Sequence, residues 1–389
     1  MATGIGLVGS YGGLNLGDEA ILQVIVRSLR QALPGCRIVA FSRDAAHTER
    51  HHDVDRAVPV RQLSQTALRQ EVAALDAVIL GGGGTLFDTE AATFLRSIAV
   101  AQRLARFTMA FAIGAGPLDN WCERAVVRGL VNRIDVVSVR SHRSRRLLWD
   151  VGITRDVSIS LDPAFLLDPE LVDDRLRDHL AGVRVPLVGI SVREPGPACP
   201  NLAAIPYHRY VAALADHVVR RLRGHVLFIP MERQDLDHAR TVMQLMRQRR
   251  NASMLTEVWS PGQTLALVHR LQLAIGMRLH FLSFAACARV PFVPLPFVPK
   301  LAELPGHLAP RLSAAGPETG PATVQSLVKE FECCWEERES RRSVLTTTID
   351  EVRAQAMADL RLAHRQLEVG AAGRERVHRG PQAEWRLHA

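Results

Sequence analysis

The sequence has six cysteines but no CxxC pair, and the adjacent Cys333 and Cys334 are poorly placed to bridge to each other. Neither a disulfide framework nor a cysteine zinc site is expected, and the chain reads as one kept reduced in the cytoplasm. Dense Lys/Arg runs interleaved with aromatics are also missing. The net charge of +8 comes from arginines scattered along helical patterns, so no nucleic-acid partner is expected, whereas an anionic substrate or an anionic membrane surface would fit. No apolar run can span a bilayer: the most apolar late stretch, FLSFAACARVPFVPLPFVP (residues 281–299), is broken by prolines and an arginine. The chain opens on a strand-like pattern, GIGLVGSYG, so no secretory leader is expected. There is no repeat of fixed period, and the glycine loop of residues 9–20 is neither a GxGxxG nor a Walker A loop. HTERHH (residues 47–52) reads as a polar loop without a third ligand, and no metal site is expected there or elsewhere.

What is present is a long alternation. The 389 residues are 47% hydrophobic and 23% charged, enough for two or three domains with sizeable cores. Short apolar runs such as IGLVGS, RIVAFS, DAVILGGG, TMAFAIGAG and VVSVRS alternate with amphipathic stretches to about residue 170. The pattern lapses in a charged segment, then restarts with PLVGISVRE, HVLFIPME, ASMLTEVW, LQLAIGM and PFVPLPF. Buried strands alternating with helices predict parallel sheets covered on both faces. We therefore expect an α/β protein of two Rossmann-like domains, residues 1–175 and 186–315, with their strand-end loops facing a cleft. A helical extension and tail should occupy residues 322–389.

Ligands of open α/β sheets bind beyond the carboxyl ends of the strands, so the loops after the apolar runs carry the candidates. GSYGGLNLGDEA (residues 9–20) packs glycines ahead of Asp18, which sits where a helix cap or first-turn residue belongs. The glycines, Gly17 among them, would let backbone pass close to a ligand, with the carboxylate aimed into the same space. In GGGGTLFD (residues 81–88), Gly83 and Gly84 could present amides to a phosphate or sugar at a helix start capped by Thr85, or form only a tight turn. Arg140 ends one strand. Arg193, in ISVRE, ends another, where a guanidinium can capture a carboxylate or phosphate, or pair with Glu194. Glu232 follows a strand, and Asp235 is read as a helix cap. In GMRLH (residues 276–280), Arg278 and His280 flank Leu279 at a strand-to-helix turn, and Lys300 follows the next strand. A helix N-terminus favours the neutral imidazole, which suits a general base or a hydrogen-bond donor.

NLGDEAIL, GGGGTLFD, GAGPL, SVRSHRS, DPAFLL, ISVRE, IPMERQDLD, GMRLH and PFVPK occur in the order found in polysaccharide pyruvyl transferases, and over residues 4–305 the chain resembles that family. The resemblance implies a fold similar to the GT-B glycosyltransferases, phosphoenolpyruvate as co-substrate with no further cofactor, and a sugar of a cell-surface polysaccharide, free or lipid-linked, as acceptor of a pyruvyl ketal. It implies that the segment Arg278, Leu279 and His280 binds the donor. The donor's carboxylate and phosphate need several cations, which Arg193, Arg278 and Lys300 can supply, and ketal formation calls for acid–base groups, for which Asp18 and His280 are the candidates. It also fits a cytoplasmic protein in peripheral contact with the inner membrane surface. The chain departs from the pattern at Ser141, where an Asp is common, at Phe297, where a Tyr is common, and in AIGAGP, where GQGIGP is common. Two alternatives stay open: a GT-B glycosyltransferase using a nucleotide sugar, and a non-catalytic saccharide-binding protein.

Overall fold

The computed structural model describes residues 3–13, 15–171, 174, 184–195, 202–203, 205–256, 259–297, 301, 304, 308 and 323–379. Lys300, most of the charged segment expected to separate the domains, and the end of the expected tail lie outside them. The chain divides into two compact units: residues 1–13, 21–163 and 356–389 form the first, and residues 14–20 and 164–355 the second.

The first unit is built on a parallel sheet. Its strands are β1 (Gly4–Val8), β2 (Arg37–Ser42), β3 (Arg56–Pro59), β4 (Ala77–Gly81), β5 (Gly84–Leu86), β6 (Phe107–Ala115), β7 (Val136–Val139) and β8 (Ser158–Ile159). Their order is β3-β2-β1-β4-β6-β7-β8, with β5 paired to β6. β1, β4 and β6 are buried along their whole length, as near-continuous apolar runs require in a sheet covered on both sides. The linking helices are α1 (Leu16–Ala32), α2 (Ala45–His51), α3 (Gln65–Ala73), α4 (Ala91–Arg103), α5 (Trp121–Val131) and α6 (His142–Val151).

The second unit repeats the plan with β9 (Leu187–Ser191), β10 (His225–Phe228), β11 (Ala252–Met254), β12 (Leu273–Gly276) and β13 (Phe292–Pro294), ordered β11-β10-β9-β12-β13 and parallel throughout. Its helices are α7 (Tyr207–Leu222), α8 (Asp235–Leu245), α9 (Pro261–Val268) and α10 (Leu279–Cys287), followed by α11 (Val324–Glu336). The last helix, α12, runs from Arg338 to Arg379. Its later part belongs to the first unit, where Leu360, Ala363, Leu367 and Ala371 are buried at helical spacing. There Gly370 lies flat on the Phe107 ring, where a Cβ would come within 2.2 Å of it, and Asp359 accepts the Leu161 amide at 2.7 Å.

Every apolar run named above became a strand. Two strands went unseen, β3 (RAVP) and β5 (GTL), both too short and too poor in apolar residues to stand out. HTERHH proves to be mostly helix, not loop: Asp44 caps α2, and His47 and His51 stack at 4.2 Å between ring centroids.

In each sheet the strand order reverses once, between β1 and β4 and between β9 and β12. In the second unit the residues just past that switch point are Arg193–Glu194 and Arg278–His280, and the amide of Met277 still pairs with the Ser191 carbonyl at 2.9 Å. That is where an open α/β sheet offers a ligand site.

Candidate active site

Arg278 is the residue just before α10 and is buried. Its Nε donates to the two oxygens of Asp235 at 3.2 and 3.0 Å. Its Nη2 pairs with Glu232 at 2.8 Å and also with Glu194 and Asp235. Asp235 is fully buried and accepts the amides of Met231 and Glu232 at 3.0 and 3.1 Å. Its side chain therefore braces the loop before α8; it does not cap that helix, as the sequence suggested. Burial pushes the Asp235 carboxyl up to about 7 against the pull of Arg278, with Glu194 and Glu232 adding to the rise. Burial acts the same way on Glu194, but Arg278 and Arg193 overcome it and hold its pKa below the ordinary carboxylate value. Arg278 is raised: burial opposes its charge, and the three carboxylates more than offset that.

Glu194, Glu232 and Asp235 bring an oxygen each within 4.8 Å of one another, a spacing that could hold a metal ion. The cluster is not legible in sequence, because Glu194 lies far along the chain from Glu232 and Asp235. The guanidinium of Arg278 pairs with all three and already supplies a cation there.

Arg193 follows β9. Its Nη2 donates to Glu194 at 2.9 Å and its Nε to the Glu194 carbonyl at 3.2 Å. The ion pair with Glu194 is thus real, but buried. Among the described residues no hydrogen bond uses Nη1 of Arg193. The Arg193 carbonyl accepts from the Tyr207 hydroxyl at 2.8 Å, and that hydroxyl also lies 2.8 Å from His238 Nδ1.

Residues 15–20 complete the group. Asn15, not Asp18, caps α1: its Oδ1 accepts the amides of Gly17 and Asp18 at 3.0 and 3.4 Å. Asp18 is left as a half-buried first-turn residue. The Leu16 amide donates to the Met231 carbonyl at 2.8 Å, and Asn15 Nδ2 donates to Glu232 at 3.4 Å. Gly17 is buried against His280, the second residue of α10. A Cβ on Gly17 would fall 1.7 Å from His280 Nδ1. Only glycine allows that approach, which places the backbone just before Asp18 on the imidazole.

The other glycines of the opening loop serve packing. A Cβ on Gly9 would meet the Tyr11 ring at 2.5 Å, and one on Gly12 would meet Ser42 Oγ at 2.3 Å. Tyr11 in turn donates to the Gly81 carbonyl at 3.0 Å, linking the ends of β1 and β4. Gly83, with φ of 71°, and Gly84 turn the chain from β4 into β5 and not into a helix. Thr85 lies buried in β5, and α4 begins later, after Glu90. The Gly82 amide and Gly83 carbonyl are engaged with β6, at 2.8 and 2.7 Å. An amide cradle at a helix start is therefore not formed there. Arg140 is buried over Gly114 and donates to Asp162 at 3.0 Å. Gly83, Gly84 and Arg140 belong to the first unit, whereas Gly17, Asp18, Arg193, Arg278, Leu279 and His280 belong to the second.

Two Rossmann-like units with strand-end sites define a protein of the GT-B-like class. The chain belongs to the polysaccharide pyruvyl transferase family, whose sequence model matches residues 15–296. A search of curated proteins found no match. Among solved structures, the UDP-GlcNAc 2-epimerase of Neisseria meningitidis is similar with a TM-score of 0.62 at 10% identity, over 93% of this chain and 100% of that one. A glycosyltransferase from Rickettsia africae gives 0.62 at 10% identity over 95% and 98%. An Anabaena protein solved with UDP and glucose gives 0.61 at 15% over 95% and 100%. At these identities the likeness is one of fold.

Two substitutions test the geometry. Gly17→Ala puts a Cβ 1.7 Å from His280 Nδ1, so it should cost ~1–3 kcal/mol of stability in a denaturant titration, as overpacking does. The imidazole must move as well, and turnover should fall by about 10²-fold, the scale for a small misplacement at a site; unchanged turnover would detach His280 from the site. Arg278→Met takes from Glu232 and Asp235 the cation they share and leaves Glu194 with Arg193 alone. It should destabilise the fold by ~3–5 kcal/mol in a denaturant titration, as when one partner of a buried ion pair is removed. A loss below about 1 kcal/mol, the scale of an exposed pair, would show that the cluster is effectively solvated.

Proposed function

We propose that the protein transfers the pyruvyl group of phosphoenolpyruvate to a sugar of a cell-surface polysaccharide or its precursor, forming a cyclic ketal. Family membership supports the reading, and the observation that carries it is the contact of His280 with Gly17, next to Asp18, beside Arg193 and Arg278. In the proposed reaction a proton is added to the methylene carbon of phosphoenolpyruvate, making C2 electrophilic. One sugar hydroxyl adds to C2 and gives up its proton. The C2–O bond to phosphate then breaks, and a second hydroxyl closes the ketal as its proton leaves. Asp18 and His280 are the acid–base groups of these steps, each of a kind worth ~10²–10⁴-fold.

Arg193 is the principal anchor for the donor's anionic groups, through Nη1. Arg278 shares its charge with three carboxylates, so its part is chiefly to hold Leu279 and His280 in place. Lys300 is assigned to the donor on the family pattern. The donor's charge is met by these cations without a metal or further cofactor, so turnover should survive chelation.

We assign the enzyme to the cytoplasm, working on a lipid-linked acceptor at the membrane surface. Among the described residues no helix is long and apolar enough to cross a membrane. Trp121 on α5 and Trp149 on α6 are 78% and 50% exposed, and the Arg145 guanidinium lies 5.0 Å over the Trp149 ring. Exposed tryptophan with arginine suits an anionic interface.

Incubation with phosphoenolpyruvate and candidate lipid-linked or nucleotide-linked saccharides, followed by mass spectrometry, tests the reaction. Wild type should add one pyruvyl group to an acceptor, with or without chelator. Because Asn15 already caps α1, Asp18→Asn should keep the melting temperature while turnover drops ~10²–10⁴-fold. Sugar transfer from a nucleotide sugar, with no pyruvyl product, would overturn the proposal. Sedimentation with phosphatidylglycerol vesicles checks the membrane contact: the Trp121→Ala/Trp149→Ala protein should stay in solution where wild type pellets, and equal behaviour would remove it.

A further inference from the structure

We infer that Glu232 is a positioning residue that sets Asp18 and His280 against each other; this rests on their reading as the reacting pair. One carboxylate receives Asn15 Nδ2 at 3.4 Å and Arg278 Nη2 at 2.8 Å. Asn15 caps the helix that carries Asp18, and Arg278 is two residues from His280. Glu232 thus joins segments lying 217 residues upstream of it and, at Arg278, well downstream. The loop bearing Glu232 is itself fixed, because Asp235 holds the amides of Met231 and Glu232. The Met231 carbonyl takes the Leu16 amide at 2.8 Å. Loop 231–232 therefore grips the start of α1 with a backbone bond and a side-chain bond, and grips the start of α10 with a charge. The tolerance between the two helix starts is small, since Gly17 admits the imidazole only for lack of a Cβ.

Asn15→Asp separates this role from mere stability. Asp caps a helix about as well as Asn, but the new carboxylate faces Glu232, loses the Nδ2 donor and repels. Adding Glu232→Gln restores a hydrogen bond with its direction reversed, from the Gln amide to the new carboxylate. Turnover should fall about 10–100-fold in Asn15→Asp, within the reach of a small misplacement, and return to within a few-fold of wild type in the double variant. Hydrogen exchange of the Leu16 amide should quicken in the single variant and slow again in the double. If the double variant is no better than Asn15→Asp in either measurement, the link is wrong. If exchange recovers and turnover does not, Glu232 holds the helix start without positioning the reaction, and the inference also fails. If wild type itself transfers no pyruvyl group, the functional reading has failed, and Leu16 exchange alone decides whether the link exists.

Discussion

A guanidinium taken out of water must be met by carboxylates, or the fold pays several kcal/mol for it. Arg278 meets that demand with three of them, and the demand orders much of the second unit. Glu194 comes from the end of β9, Glu232 from the loop after β10 and Asp235 from the first turn of α8. Only the strand order β10-β9-β12 brings these ends together around the residue that follows β12. Because Arg278 immediately precedes α10, the cluster fixes where that helix begins, and with it the direction of the His280 side chain. A second layer keeps the arrangement in place: Tyr207 holds the Arg193 carbonyl, and His238 and His208 continue the hydrogen-bonded chain at 2.8 and 3.0 Å. Burial lowers both histidines, so the chain favours neutral rings beside the ion cluster.

The opening loop divides its work. Its early glycines make room for Tyr11 and Ser42 inside the first unit, and Gly17 alone makes room for a group that can exchange a proton. Packing and chemistry thus draw on the same residue type within one short segment. Asn15 relieves Asp18 of capping.

How much of this could be read in advance depended on range. The two sheets were legible because their central strands are buried on both faces and so appear as unbroken apolar runs. RAVP and GTL were not, being short and edged by Arg, Pro or Gly. Asp18 was legible as a cap or a first-turn residue but not as which, for a local reason: Asn15 and Asp18 are both good caps, and helix starts are uncertain by a turn. Arg278 and His280 stood out through their place between strand and helix. The carboxylates around Arg278 did not, since Glu194 is 84 residues away and Asp235 is 43; no window on the sequence spans such distances. For Gly83 and Gly84 two readings stayed open, because a glycine run after a strand looks the same whether it opens a helix or a further strand.

The length of α12 bears on how the protein is made. The first unit is not finished by the residues that begin it: Phe107 waits for Gly370, the Leu161 amide for Asp359, and Ser28 for His364, 3.2 Å away. A ribosome has therefore synthesised the whole second unit before the first can cover this face. Until then the nascent first unit shows apolar surface to solvent, and chaperone capture has its longest opportunity there. The second unit, made later, meets no such delay: its closing segments, such as Arg353 reaching Asp168 at 2.9 Å, emerge before the last turns of α12. The order of synthesis and the order of completion are thus reversed.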